Sequence, residues 1–123
     1  MNLAHQTTHQ EWERVLHLEG VITHHPAWHG KLSGMECEQI LRKYPPRSYL
    51  LRAGEEKLHY YLSFVDQSLL NFKHQPFMID CIHREWIYRN GNFHHSENLE
   101  DIIAAILHCK MNQCLPILKT GFM

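Results

Sequence analysis

At 123 residues and 14.7 kDa the chain is long enough for one hydrophobic core and too short for two. A formal charge of −1 with 44% apolar residues gives no bias towards nucleic acid or a membrane surface. The longest apolar run, Ile102 to Leu107, is far too short to cross a bilayer, and the polar Met1 to Gln10 does not read as a secretory leader, so a cytoplasmic monomer in a reducing setting is expected.

Thr8 with Glu11 three residues on is a capping-box pattern, and Trp12, Val15 and Leu16 follow at helical spacing before Gly20. This predicts a short N-terminal helix that docks through Trp12. Ser33 with Glu36 repeats the capping pattern, ahead of a stripe of Cys37, Ile40, Leu41 and Tyr44 that Pro45-Pro46 stops. A strand ending at Arg52, a polar turn from Gly54 to Lys57 and a second strand from Leu58 to Val65 suggest an antiparallel hairpin. Asp66-Gln67-Ser68 makes the next turn, before a β-like tract from Leu69 to Ile82 that Pro76 weakens. A shorter strand, Glu85 to Arg89, closes at Asn90-Gly91, and His94 to Asn98 reads as a polar loop. A last helix carries Leu99, Ile102, Ile103 and Ile106, with Glu97, Glu100 and Asp101 at its positive end, and Leu115 to Leu118 is an apolar edge segment. The order fits an α+β fold: a central antiparallel β-sheet flanked by two α-helices, with an extra N-terminal helix.

Cys37, Cys81, Cys109 and Cys114 form no Cys-x-x-Cys pair and are expected to be buried thiols. Twelve histidines raise the question of zinc, but no two ligand dipeptides show a structural-zinc spacing, so no metal or other cofactor is expected. No nucleophile-base pair or phosphate-transfer motif argues for an enzyme.

Tyr49-Leu50-Leu51-Arg52 is the informative stretch. The apolar run argues for a strand buried on both faces, and Arg52 shares a face with Leu50 because side chains two apart do. A guanidinium there needs a partner, either an internal carboxylate or an external anion.

Several segments together resemble Src homology 2 domains. Trp28 to Glu38 is similar to that family's opening Trp-aromatic-His-Gly segment, Tyr49 to Arg52 to its Phe-Leu-Val-Arg signature, and Tyr60 to Phe64 to its Tyr-x-Leu-Ser-Val strand. Phe72-Lys73-His74, Trp86-Ile87 with Phe93, and Leu99 to Ile103 follow in the right order, so the likeness runs from Ala27 to Leu118. The resemblance implies a non-enzymatic phosphotyrosine-binding module at 26–120, a helical extension at 1–25, and tyrosine-phosphorylated proteins or peptides as partners. Arg52 is then the phosphate ligand, supported by the loop amides of Gly54, Glu55 and Glu56, by Lys57 and His74, and by Ser33 and Tyr61.

The sequence departs from the family pattern at three places. Gly34 stands where many members have a second arginine, Gly54 where a serine meets the phosphate, and Pro76 where a lysine often does, while Glu55 and Glu56 set negative charge beside an anion site. The resemblance also implies a second surface for residues after the phosphotyrosine, bordered by Lys73, Gln75, Ile87, Asn90, Gly91, His94 and His95 with the 110–114 segment. Phe93 to Leu99 is about three residues longer than usual, through which His94 and His95 would reshape that groove. A signalling adaptor or a microbial effector secreted into a host cytosol are the roles considered. The alternatives are a degenerate domain that docks independently of phosphorylation and a histidine-cysteine metal protein.

Overall fold

The computed structural model describes residues 3–66 and 71–119. Helix α1 runs from Leu3 to Thr23, through both Thr8 and Glu11, so their capping pattern does not mark its start. It packs through Val15, Leu18 and Ile22, a spacing that keeps one stripe on the sheet. Burying each of these side chains contributes roughly 1.5–3 kcal/mol. Trp12, expected to dock, is instead 49% exposed and Leu16 is 48% exposed, because the contact stripe turns with Val15 and runs towards Thr23. Gly20 does not end the helix: the Thr23 hydroxyl donates to the Glu19 carbonyl at 3.0 Å and His24 Nδ1 to the Gly20 carbonyl at 2.8 Å, so side chains meet carbonyls left open at the terminus.

His25 joins this end to another helix. Its Nδ1 accepts the Ala27 N–H at 3.0 Å, which leaves Nε2–H to donate to Glu100 Oε1 at 2.6 Å. Glu100 lies in the first turn of α3 (Leu99–Leu107), whose Asn98 cap accepts the Glu100 N–H and whose stripe of Leu99, Ile102, Ile103 and Ile106 is buried as the spacing predicts.

The strands are β1 (Ser48–Ala53), β2 (His59–Asp66), β3 (Asn71–Asp80), β4 (Glu85–Asn90), β5 (Asn92–Ser96) and β6 (Leu115–Pro116). They lie in the order β5-β4-β3-β2-β1-β6, antiparallel except for the β1–β6 pair. The turn expected at 66–68 and the start of the tract expected from Leu69 fall largely outside the described residues. His94 to Ser96, expected as loop, belong to β5: the tight turn at Gly91 folds them back on β4. Pro76 is accommodated in β3 because β4 pairs only from Phe77 onwards, so no partner on that side asks Pro76 for a donor.

Two apolar layers cover the sheet. On one face α1 and α3 close over Tyr49, Leu51, Tyr60, Leu62, Phe77, Ile79 and Trp86. On the other, α2 (Gly34–Leu41) contributes Cys37 and Leu41 to a smaller cluster with Leu50 and Ile117. The expectation of four buried thiols is corrected. Cys37 is buried, Cys81 is exposed, and the turn at Met111–Gln113 brings Cys109 and Cys114 together as a disulfide with Cα atoms 6.3 Å apart.

Candidate anion-binding site

Alternation along β1 sends Arg52 to the α2 face, one step beyond the patch that Leu50 fills. There Arg52 is 8% exposed, and its guanidinium is held by three hydrogen bonds. Its Nε–H donates to the Ser63 hydroxyl at 3.1 Å, Nη1 to the Leu32 carbonyl at 3.1 Å and Nη2 to His74 Nδ1 at 3.2 Å. The Tyr61 ring, directly across the ladder, lies with its centroid 4.4 Å from the guanidinium carbon.

The hydrogen bonds assign the His74 tautomer. Nδ1 faces donors from both Ser63 (2.8 Å) and Arg52, so it accepts, and Nε2–H donates to Glu38 Oε2 at 2.8 Å. Glu38 therefore acts on Arg52 only through the imidazole. Among the described residues no carboxylate forms an ion pair with Arg52. Of its five N–H donors two remain without a partner among the described residues.

Arg52 lines a cavity of about 860 Å³ together with Ser33, Gly34, Gly54, Glu55, Tyr61 and His74, with Lys31 and Glu36 at its side. The Ser33–Glu36 capping box is formed: Ser33 Oγ accepts the Glu36 N–H at 3.1 Å and Glu36 Oε1 accepts the Ser33 N–H at 2.9 Å. Those bonds to Ser33 hold the Glu36 carboxyl below its ordinary pKa.

Of the residues expected around the phosphate, Arg52, Gly54, Glu55, His74, Ser33 and Tyr61 converge on this cavity. Glu56 and Lys57 do not line it. They border a neighbouring recess with Glu19, Thr23 and Trp28. The expected cradle of loop amides is also reduced, since the Gly54 N–H donates to the His59 carbonyl at 2.8 Å. The same contact explains the glycine: a Cβ on Gly54 would stand 2.7 Å from the His59 carbonyl oxygen.

The second surface is less like its expectation. Ile87 borders an apolar recess of about 180 Å³ with Pro76, Met78, Tyr88 and Phe93. Gln75 instead clamps the strands, its amide donating to the carbonyls of Pro76 (3.0 Å) and Arg89 (3.2 Å). Lys73 pairs with Asp66 at 3.3 Å, His94 stacks on Tyr88 and His95 Nδ1 lies 2.8 Å from Glu85 Oε1. Asn90 and Gly91 form the turn between β4 and β5 and do not line the recess.

Ser63, Glu38 and Lys31 were not singled out from sequence. Ser63 sits in the Tyr-x-Leu-Ser match, two residues from Tyr61 and so on the cavity face. Glu38 had a signal too: it lies three residues before Leu41 on α2, a carboxylate beside the sheet-facing stripe. Among the described residues no three His, Cys, Asp or Glu side chains converge as a metal site would require.

The fold is that of Src homology 2 domains. A solved structure that the chain resembles is the solution NMR structure of the SH2 domain of the Monosiga brevicollis CRK/CRKL homolog, with a TM-score of 0.54 and 22% identity over 66% of this chain and 72% of that one. At this identity the likeness is one of fold. No protein-family model and no curated protein matches the sequence.

Proposed function

We propose that the chain is a non-enzymatic module that binds phosphotyrosine in peptides, with the site carried by residues 26–120 and residues 1–25 as a helical extension. The observation that supports this is Arg52: a buried arginine that lines the cavity, with no carboxylate partner among the described residues. An aryl phosphate supplies close to two negative charges and three acceptor oxygens. Two of those oxygens suit a guanidinium edge. Depth adds selectivity, since a phenyl ring spans the distance from peptide backbone to cavity floor and the short stem of phosphoserine does not. Such a module serves as an adaptor in the cytosol, or as an effector that intercepts a host's tyrosine phosphorylation.

Titration of the protein and of Arg52→Ala with a phosphotyrosine peptide library tests the reading. Wild type binds, and the variant loses about 2–5 kcal/mol, as when a buried charge pair loses one member. Equal affinities reject it. A second reading, docking that ignores phosphorylation, is favoured by the engaged Gly54 amide and by Glu55 in the cavity wall. Equal capture of phosphorylated and unphosphorylated partners would select it.

A further inference from the structure

We infer that the Arg52 cavity is matched to an aryl ester bearing one negative charge, an aryl sulfate or a singly protonated aryl phosphate, and disfavours the dianion. The inference rests on the reading above that a tyrosine-borne oxyanion occupies this cavity, and adds which charge state of it is held. The charged groups in the wall give the reason. Arg52 and Lys31 supply two cations and Glu36 and Glu55 supply two carboxylates, so the lining carries no net charge. Lys31 and Glu55 are exposed, and neither forms an ion pair among the described residues.

Among the described residues, no other group around Arg52 adds positive charge. His74 on β3 accepts at Nδ1 from Ser63 and Arg52 and donates at Nε2 to Glu38, so it is the uncharged imidazole with an acid behind it. Cys37 on α2 is a thiol beside Arg52 whose pKa burial raises, which keeps it neutral. Ser33 and Tyr61 bring hydroxyls. Glu36 stays ionised into acid, because its bonds to Ser33 hold it below the ordinary carboxyl range.

The donors tell the same story. Ser63, Leu32 and His74 already take three N–H groups of Arg52, which leaves enough for one pair of ester oxygens. Two groups that could meet the third oxygen are missing: the Gly54 N–H is taken by the His59 carbonyl, and Gly34 has no side chain. A second negative charge on the ligand would therefore meet Glu55 with no second buried cation to offset it. Salt screens such repulsion only beyond about 8 Å. A sulfate ester has three acceptor oxygens and a single charge. A phosphate ester reaches that charge by taking one proton, with a pKa of about 6, and Glu55 is an acceptor in the same wall for the hydroxyl so formed.

The test titrates peptides that differ only in carrying phosphotyrosine, sulfotyrosine or unmodified tyrosine into wild type and Glu55→Gln, at about pH 7.5 and about pH 5.5. At the higher pH the sulfotyrosine peptide is expected to bind at least as tightly as the phosphotyrosine peptide. At the lower pH, where most of the phosphate is singly charged, the phosphotyrosine peptide gains about fivefold relative to its sulfated twin. The sulfate keeps its charge throughout, so the sulfated peptide registers any titration of the protein itself, His74 included. Glu55→Gln should tighten phosphotyrosine binding at the higher pH by about threefold to fivefold more than sulfotyrosine binding. Sulfotyrosine ahead at both pH values points to a sulfated ligand, and phosphotyrosine ahead at the lower one points to phosphate in its singly charged form. A preference for phosphotyrosine above about tenfold at the higher pH, or a ratio that stays level or falls on acidification, overturns the inference and leaves the phosphotyrosine reading standing. If neither modified peptide binds better than the unmodified one, both fall. The pH series needs only wild type, so it decides even where the variant does not fold.

Discussion

The hydroxyl of Ser63 lies 2.8 Å from Nδ1 of His74 and donates to it, while its oxygen accepts from Arg52 Nε at 3.1 Å. One buried serine therefore orients both the cation and the imidazole that flanks it. Ser63→Ala removes the acceptor for Nε–H and one of the two donors that hold Nδ1. A drop of about 1–3 kcal/mol in unfolding free energy is expected, the cost of unsatisfied buried groups. Phosphotyrosine-peptide affinity should fall by about tenfold as the guanidinium loses its fixed plane. Denaturant unfolding and peptide titration of the same preparation check both, and an unchanged affinity would show that Leu32 and His74 suffice to hold Arg52.

Gly34→Arg is expected to improve the site. The Gly34 Cβ position meets Arg52 Nη2 at 3.9 Å and His74 ring atoms at 4.0 Å, ordinary contacts, so a Cβ there displaces neither. A second guanidinium beside the dianion should tighten phosphotyrosine binding by about tenfold and steepen its salt dependence. Calorimetric titration at two ionic strengths measures both. Weaker binding would mean that the second cation displaces Arg52.

Gly54→Ser points the other way. Although a hydroxyl at this position would seem suited to phosphate, its Cβ would stand 2.7 Å from backbone oxygen of His59, and backbone cannot swing aside as a side-chain end can. The variant should lose about 1–3 kcal/mol of stability, the range for overpacking, and gain no affinity. Thermal unfolding with and without peptide separates the two effects.

Alkaline pH should unfold the protein through its buried tyrosines. Burial, with a smaller contribution from Glu19, raises Tyr60 from 10.0 to about 12, and burial with Glu100 raises Tyr49 still further. A raised phenol pKa favours the neutral folded form, so this stability is fully present below pH 10.0 and is lost as pH rises through about 12. Tyrosinate absorbance should therefore grow together with the loss of the folded circular dichroism signal. Tyr60→Phe should move the transition to higher pH, and an unmoved transition would assign it elsewhere.

Local chemistry made the framework legible. The apolar run up to Arg52, the α3 stripe and the Ser33–Glu36 cap each depend on near neighbours, and each stands where it was expected. What escaped depends on distant backbone. Nothing near Gly54 announces that the His59 carbonyl will take its N–H and crowd its Cα, and nothing near Trp12 tells where the body under α1 ends. His94 and His95 read as loop because their composition is polar, but as a lone edge strand β5 needs only a turn and a partner, which Gly91 and β4 supply. Glu38 was visible as an acid beside an apolar stripe, yet its partner His74 is 36 positions away and only folding joins them.

The way α1 is fastened has a practical consequence for cutting the chain. Val15, Leu18 and Ile22 roof the same layer that α3 closes, and His25 latches the two helices through Glu100. A shortened chain beginning at Pro26 would leave an oily trough open to water beside an unlatched carboxylate. Such a fragment should clump or demand detergent even though Arg52, on the opposite face, has lost nothing, so solubility and recognition would fail for unrelated reasons.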